Sequence, residues 1–162
     1  MRIWISNRQR KTALNLWELR EKITQILSAL GWAEAELSVT LVGDRAMARL
    51  NRETFGRSGP TNVIAFPMDG RSPSLLPTPK TRDSGREDFP QPPLVLGEVV
   101  ISLETTRREA AALGWPWEEL LDFYLIHGIL HLLGYDHDTP RAEEAMTAKT
   151  WELLNTVRGK GG

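Results

Sequence analysis

The three histidines of the chain all fall within the eleven residues from His127 to His137, which read HGILHLLGYDH. Residues four apart lie on one face of an α-helix, so a helix through this run aims the imidazoles of His127 and His131 at a common point. Gly134 follows three residues after His131. A left-handed glycine there ends the helix and turns the chain back, bringing His137 toward the same point. Three neutral imidazoles at about 2.0–2.1 Å leave the fourth tetrahedral position of a zinc ion to water, the arrangement of a catalytic site. Water held that way has a pKa of about 7 and supplies hydroxide at neutral pH. The spacing therefore predicts one zinc ion per chain, on His127, His131 and His137, at the centre of a hydrolytic site. Imidazole also suits nickel, copper and iron, so zinc is a preference from ligand type.

Taken singly, a histidine on an apolar helix is commonly a core residue satisfied by a backbone carbonyl. The cluster argues otherwise, because a core has no reason to gather three titratable rings. The same ligand spacing occurs in metzincin metalloproteases, where a glutamate after the first histidine is the general base. Here that position is Gly128, so a peptidase of that type lacks its proton acceptor.

The rest of the composition narrows the choices. A chain of 162 residues with 41% apolar content suits one domain with a real core and is short for two. That domain is expected over 1–158, with 159–162 as a tail. Twenty basic and 21 acidic residues nearly cancel, so any site for a polyanion must be local. The absence of cysteine excludes disulfides, thiolate catalysis and cysteine-ligated zinc. No apolar signal segment opens the chain, and the run Leu120 to Gly134 is shorter than a bilayer span and carries Asp122, His127 and His131. The expectation is a soluble cytoplasmic protein with no membrane partner and a buried helix at that run.

The elements that must position the histidines follow from periodicity. Arg2 to Ser6 and Glu36 to Val42 alternate as half-buried strands, and Leu14 to Leu30 carries apolar residues at helical spacing. A helix is predicted from Arg45 to about Thr54 with Asp44 as its N-cap, then a strand over Thr61 to Phe66. The stretch 68–93 is dense in Pro, Gly, Ser and charge and reads as an inserted flexible Pro-rich loop. Val95 to Ile101 is a β-branched strand, and Ser102 is placed to cap a helix from Leu103 to Leu113. The long apolar helix follows Pro116 and runs to about Leu133, and a last helix follows Pro140 and runs to about Val157. The fold class is α+β: a single domain with a small mixed sheet packed against helices, and the zinc site on the long helix of the C-terminal half.

The run HGILHLLGYDHD resembles the signature of the YbeY family, metal-dependent endoribonucleases that act in ribosomal RNA maturation. Pro60 to Pro67, PTNVIAFP, is similar to that family's PT(D/N)VLSFP segment, and Leu50-Asn51 precedes it as in the family. Leu96 to Ser102, LGEVVIS, resembles its LGDxVIS strand. The resemblance implies a single-strand-specific, zinc-dependent endoribonuclease acting in maturation of the 16S 3′ end and in ribosome quality control. RNA and the small ribosomal subunit would be its partners. Two departures stand out. Where the family has Tyr-Arg-Gly, this chain has Thr54, Phe55 and Gly56, so the family's arginine is absent and Arg57 or Arg52 is the candidate replacement. Arginine suits bidentate phosphate contact, which makes Arg57 the catalytic candidate. Glu98 stands where the family commonly has Asp, either near the site or as a solvated strand residue.

Asp136 and Asp138 flank His137, in reach of orienting its imidazole or simply shaping a turn. Arg45, Arg49 and Arg52 share one helix face and, with Arg57, make either a basic track for an RNA backbone or a solvated surface. Trp17, Trp32 and Trp151 read as core residues of amphipathic helices. Two rival functions remain: a metal-dependent hydrolase of another substrate class, and a non-catalytic ribosome assembly factor with a structural metal.

Overall fold

The computed structural model describes residues 2–68 and 95–161, with side chains as far as Arg158. The segment read as a Pro-rich loop lies outside the described residues except for Met68. Strands β1 (Arg2–Asn7), β2 (Glu36–Val42), β3 (Val63–Pro67) and β4 (Val95–Ser102) form one sheet. Helices α1 (Leu16–Ala29), α2 (Asp44–Phe55), α3 (Leu103–Leu113), α4 (Trp117–Leu132) and α5 (Pro140–Gly161) complete the fold. The last helix continues to Gly161, beyond the end expected near Val157.

The sheet is mixed, in the order β1-β2-β4-β3. β1, β2 and β4 are parallel, while β3 runs antiparallel against β4. The interior place of β4 suits its composition: VLGEVVIS is mostly apolar, with Leu96, Val99, Val100 and Ile101 buried. One face of the sheet, through Leu37, Val39, Val63, Val99 and Ile101, packs against α1 and α4, and α5 lies on those two helices. α2 covers part of the other face, with Met47 on Val42, Ile64 and Val100. Each buried Leu or Ile in these layers contributes about 1.5–3 kcal/mol.

α4 is buried along Leu120, Leu121, Leu125, Ile126, Ile129, Leu130 and Leu132. A helix apolar around most of its circumference must be enclosed by several partners, and α4 touches β3, β4, α3 and α5. No helix among the described residues is long and apolar enough to cross a membrane.

Two sequence expectations change. Asp44 does not cap α2; Gly43 holds the cap position, and the Asp44 backbone N–H donates to Glu104 Oε1 at 2.9 Å. The Asp44 carboxylate instead accepts Ser102 Oγ at 2.9 Å, Thr105 Oγ1 at 2.6 Å and Arg108 at 2.8 Å, tying α2 to the start of α3. Trp17 is not a core residue: it is 72% exposed. Leu19, Ile23, Ile26 and Leu27 define the buried face of α1, and residue 17 falls off that face. Trp151 is also exposed, whereas Trp32 packs partly against the core. Ser102 caps α3 as expected, accepting the Thr105 N–H at 3.2 Å.

The polar junction at Asp44 predicts acid sensitivity. Burial alone would raise the Asp44 pKa, but hydrogen bonds from Arg108, Thr105 and Ser102 outweigh it and hold the carboxyl below its ordinary 3.8. Glu104 is likewise held below 4.5, first by the Asp44 N–H and then by Lys11. A depressed carboxylate contributes stability that is present above its unfolded pKa and lost as pH falls through its folded value. Chemical denaturation at a series of pH values is expected to show this contribution declining as pH drops below about 4.5 and on past 3.8. Asp44→Asn is expected to lower stability at neutral pH and flatten that acid limb.

Candidate metal centre

His127 and His131 lie one helical turn apart on α4, and their Nε2 atoms stand 3.1 Å apart. Two nitrogens bound tetrahedrally at about 2.0–2.1 Å would be separated by about 3.4 Å, so the pair is close to a shared-metal geometry. Gly134, with φ +101°, turns the chain after α4, and His137 returns on the following segment. One ligand atom from each of the three histidines lies within 4.8 Å of the other two. His131 is 1% exposed, His127 is half-buried and His137 lies on the open side.

The electrostatics suit metal binding. Burial, and then His137, lowers the His127 pKa to about 4. Burial, followed by His127 and His137, lowers that of His131 to about 3. Both rings are therefore neutral at pH 7, with a lone pair available to a divalent cation. The donor set fits such an ion and is compatible with a three-histidine site.

Gly128 permits the helix to sit where it does. A Cβ on residue 128 would lie 2.7 Å from Val99 Cγ1 and 3.3 Å from Val63 Cγ2. Residue 128 thus faces the sheet at close approach, so the position of the metzincin glutamate points into packed β-strand side chains here. The peptidase mechanism lacks both the carboxylate and the room for it.

A polar network that sequence reasoning missed lies one turn before His127. The Tyr124 hydroxyl donates to Glu109 Oε1 at 2.6 Å, and Asn62 Nδ2 donates to the same oxygen at 3.1 Å. Asn62 Oδ1 accepts the Val63 N–H at 2.7 Å, and the Asn62 carbonyl accepts the Ser102 N–H at 2.9 Å. Burial, with Glu109 beside it, pushes the Tyr124 hydroxyl pKa up, so it remains a donor. The network pins the segment before β3 to α3 and to the helix that carries the histidines. No spacing within one segment signals it, because its three residues lie on three segments.

The other candidates separate. Glu98 accepts the Thr40 hydroxyl across β2 and β4. Its neighbour Val99 meets α4, so strand alternation puts Glu98 on the opposite face, away from the histidines. Asp136 is buried and its Oδ1 accepts the Asp138 N–H at 3.1 Å, which is turn chemistry. Arg57 is exposed in the segment between α2 and β3, where Asn51 Nδ2 donates to the Gly59 carbonyl at 2.9 Å. Arg45, Arg49 and Arg52 are also exposed. Among the described residues, no hydrogen bond or ion pair joins these arginines to the histidines.

Fold and site define a class: a small α+β protein that presents convergent neutral imidazoles, suited to one divalent metal, beside a polar-braced loop. A family model described as Endoribonuclease YbeY matches residues 4–158. Curated proteins named Endoribonuclease YbeY from Geobacter metallireducens and Geobacter sulfurreducens are each 38% identical to it, covering 99% of this chain and 99% of theirs. One of the same name from Exiguobacterium sp. is 40% identical, over 90% of this chain and 88% of its own. The solution structure of a Thermotoga maritima protein is similar with a TM-score of 0.66 and 26% identity, over 98% of this chain and 90% of that one. The chain belongs to the YbeY endoribonuclease family, and is an enzyme of the nuclease class of hydrolases.

Proposed function

We propose that the chain is a zinc-dependent endoribonuclease specific for single-stranded RNA, acting in the cytoplasm on ribosomal RNA at the 16S 3′ end and in ribosome quality control with the small ribosomal subunit. The observation that carries this reading is the pair of neutral, helix-borne imidazoles 3.1 Å apart with His137 closing on them, in a chain of this family. His127, His131 and His137 hold the ion, and zinc is preferred over other imidazole-binding metals on ligand type. Bound there, the ion supplies an activated water or a polarised phosphoryl oxygen.

The chain's own groups do the remainder. α4 fixes two ligands through its packing on the sheet, and the Asn62–Glu109–Tyr124 network holds the adjoining loop in place. Arg57, on that loop, contacts the phosphate and stabilises charge developing on it, in the role that the missing arginine at position 55 leaves open.

The test combines elemental analysis of the purified protein with cleavage of a labelled single-stranded RNA. About one equivalent of zinc, cleavage lost on chelation and restored by zinc, and a fall of about 10²-fold in kcat for Arg57→Ala are expected. Cleavage that persists after complete chelation would sink the zinc reading. Full metal occupancy with no cleavage would favour an assembly factor with a structural metal, the reading that Phe55 supports.

A further inference from the structure

Beside His127 lies a group of rings that metal binding does not use. Phe123 is nearly parallel to the His127 ring, with centroids 6.2 Å apart and 12° between planes. Trp151 from α5 and Trp115 from the α3–α4 turn meet Phe123 at 5.7 and 5.9 Å, and each other at 5.8 Å. The edge-on and tilted geometries are those of packed aromatic side chains. Burial alone does not account for the cluster, since Trp151 stays 41% exposed with those contacts made.

The other exposed tryptophans have no such connection. Trp4 is 60% exposed on the edge strand β1, and Trp17 is 72% exposed on α1; neither makes a ring contact with the cluster. Trp117 already has the Arg107 guanidinium over its ring at 5.6 Å. Trp151 alone among these combines an exposed indole with an unbroken run of rings, through Phe123, to a histidine of the metal centre.

We propose that Trp151, backed by Trp115, is a stacking subsite for an unpaired nucleobase of the RNA adjoining the scissile phosphate. This inference rests on the endoribonuclease reading above. Every base offers a π-face, so such a platform tolerates sequence while requiring a base free of its own helix. A duplex keeps its bases turned inward and has none to give. The subsite thereby supplies a physical basis for single-strand preference that the metal ligands, which address only the phosphate, do not.

The experiment measures steady-state cleavage and equilibrium binding of a labelled single-stranded oligoribonucleotide by the full-length zinc-loaded protein. A series of oligonucleotides with one abasic site at successive positions accompanies it. Trp151→Ala is expected to raise KM and weaken binding about tenfold, the loss of one stacked base, while Trp151→Phe restores most of the affinity. For the wild type, one abasic position near the cut is expected to weaken binding to a similar degree, and Trp151→Ala is expected to be indifferent to that position. Wild-type cleavage with unchanged KM and unchanged abasic profile in Trp151→Ala would overturn the subsite and leave the nuclease reading standing. Wild-type protein that binds the oligonucleotide with Trp151-dependent affinity yet never cuts it would retain the subsite and remove the nuclease reading. Protein that neither binds nor cuts would overturn both.

Discussion

His131→Ala is expected to abolish RNA cleavage, lowering kcat by about 10³-fold or more, and to strip the protein of metal without unfolding it. The reason is positional. His131 is 1% exposed and shares one face of α4 with His127, so no mobile side chain or bulk water replaces its nitrogen at the correct point. A divalent ion held by three imidazoles would make its water acidic, two imidazoles would not hold it as well, and a change of about 4 kcal/mol in the barrier is already a factor of about 10³. Ile126, Ile129 and Leu130 anchor the same helix in the core, so loss of the buried ring costs some stability without removing the helix. Elemental analysis and cleavage assays on the variant, with circular dichroism to verify folding, check the result. Undiminished cleavage by a metal-free variant would refute the site.

Gly128→Glu, which rebuilds the metzincin pattern around the ligands, is expected to destroy the fold rather than create a peptidase. The new Cβ meets Val99 at 2.7 Å before the carboxylate is placed at all. An unpaired charge driven into that layer, at about 3–5 kcal/mol, adds to about 1–3 kcal/mol of overpacking, for a combined loss of about 4–8 kcal/mol. Small domains have only about 5–15 kcal/mol in hand, so the variant should be largely unfolded or insoluble. Alanine is the milder probe. Its helix propensity returns about 1 kcal/mol against an overpacking cost of about 1–3 kcal/mol. A net loss of up to about 2 kcal/mol lowers Tm by several degrees. Thermal denaturation of both variants, with a peptide-digestion assay on any soluble Gly128→Glu protein, tests this; a folded variant with peptidase activity would show that residue 128 faces the site.

Much of this was legible because it is local. Helical spacing placed His127 and His131 together, and Gly134 announced the turn that carries His137. Ser102 and the β-branched run of β4 marked their element boundaries in the same way. Local periodicity misplaces Trp17, which falls off the Leu19–Ile23–Ile26–Leu27 face, whereas other features were missed because their partners are distant in sequence. Asp44 has the residue type of a cap, but Ser102, Thr105 and Arg108, about 60 residues on, claim its carboxylate. The motif around Glu98 leaves it open between a site residue and a strand residue, and strand alternation around Val99 turns it to the other side of the sheet. The Asn62–Glu109–Tyr124 network joins three segments, and no periodicity within any one of them reveals it.

The place of α5 bears on when the protein becomes competent. This helix emerges from synthesis after every other described element, yet Met146, Leu153, Leu154 and Val157 belong to the main core, and α5 packs on both α1 and α4. A nascent chain that has already exposed all three histidines still lacks the layer that clamps their helix in place. The helix that carries the histidines is therefore fully packed only once this segment has docked, late in the order of synthesis.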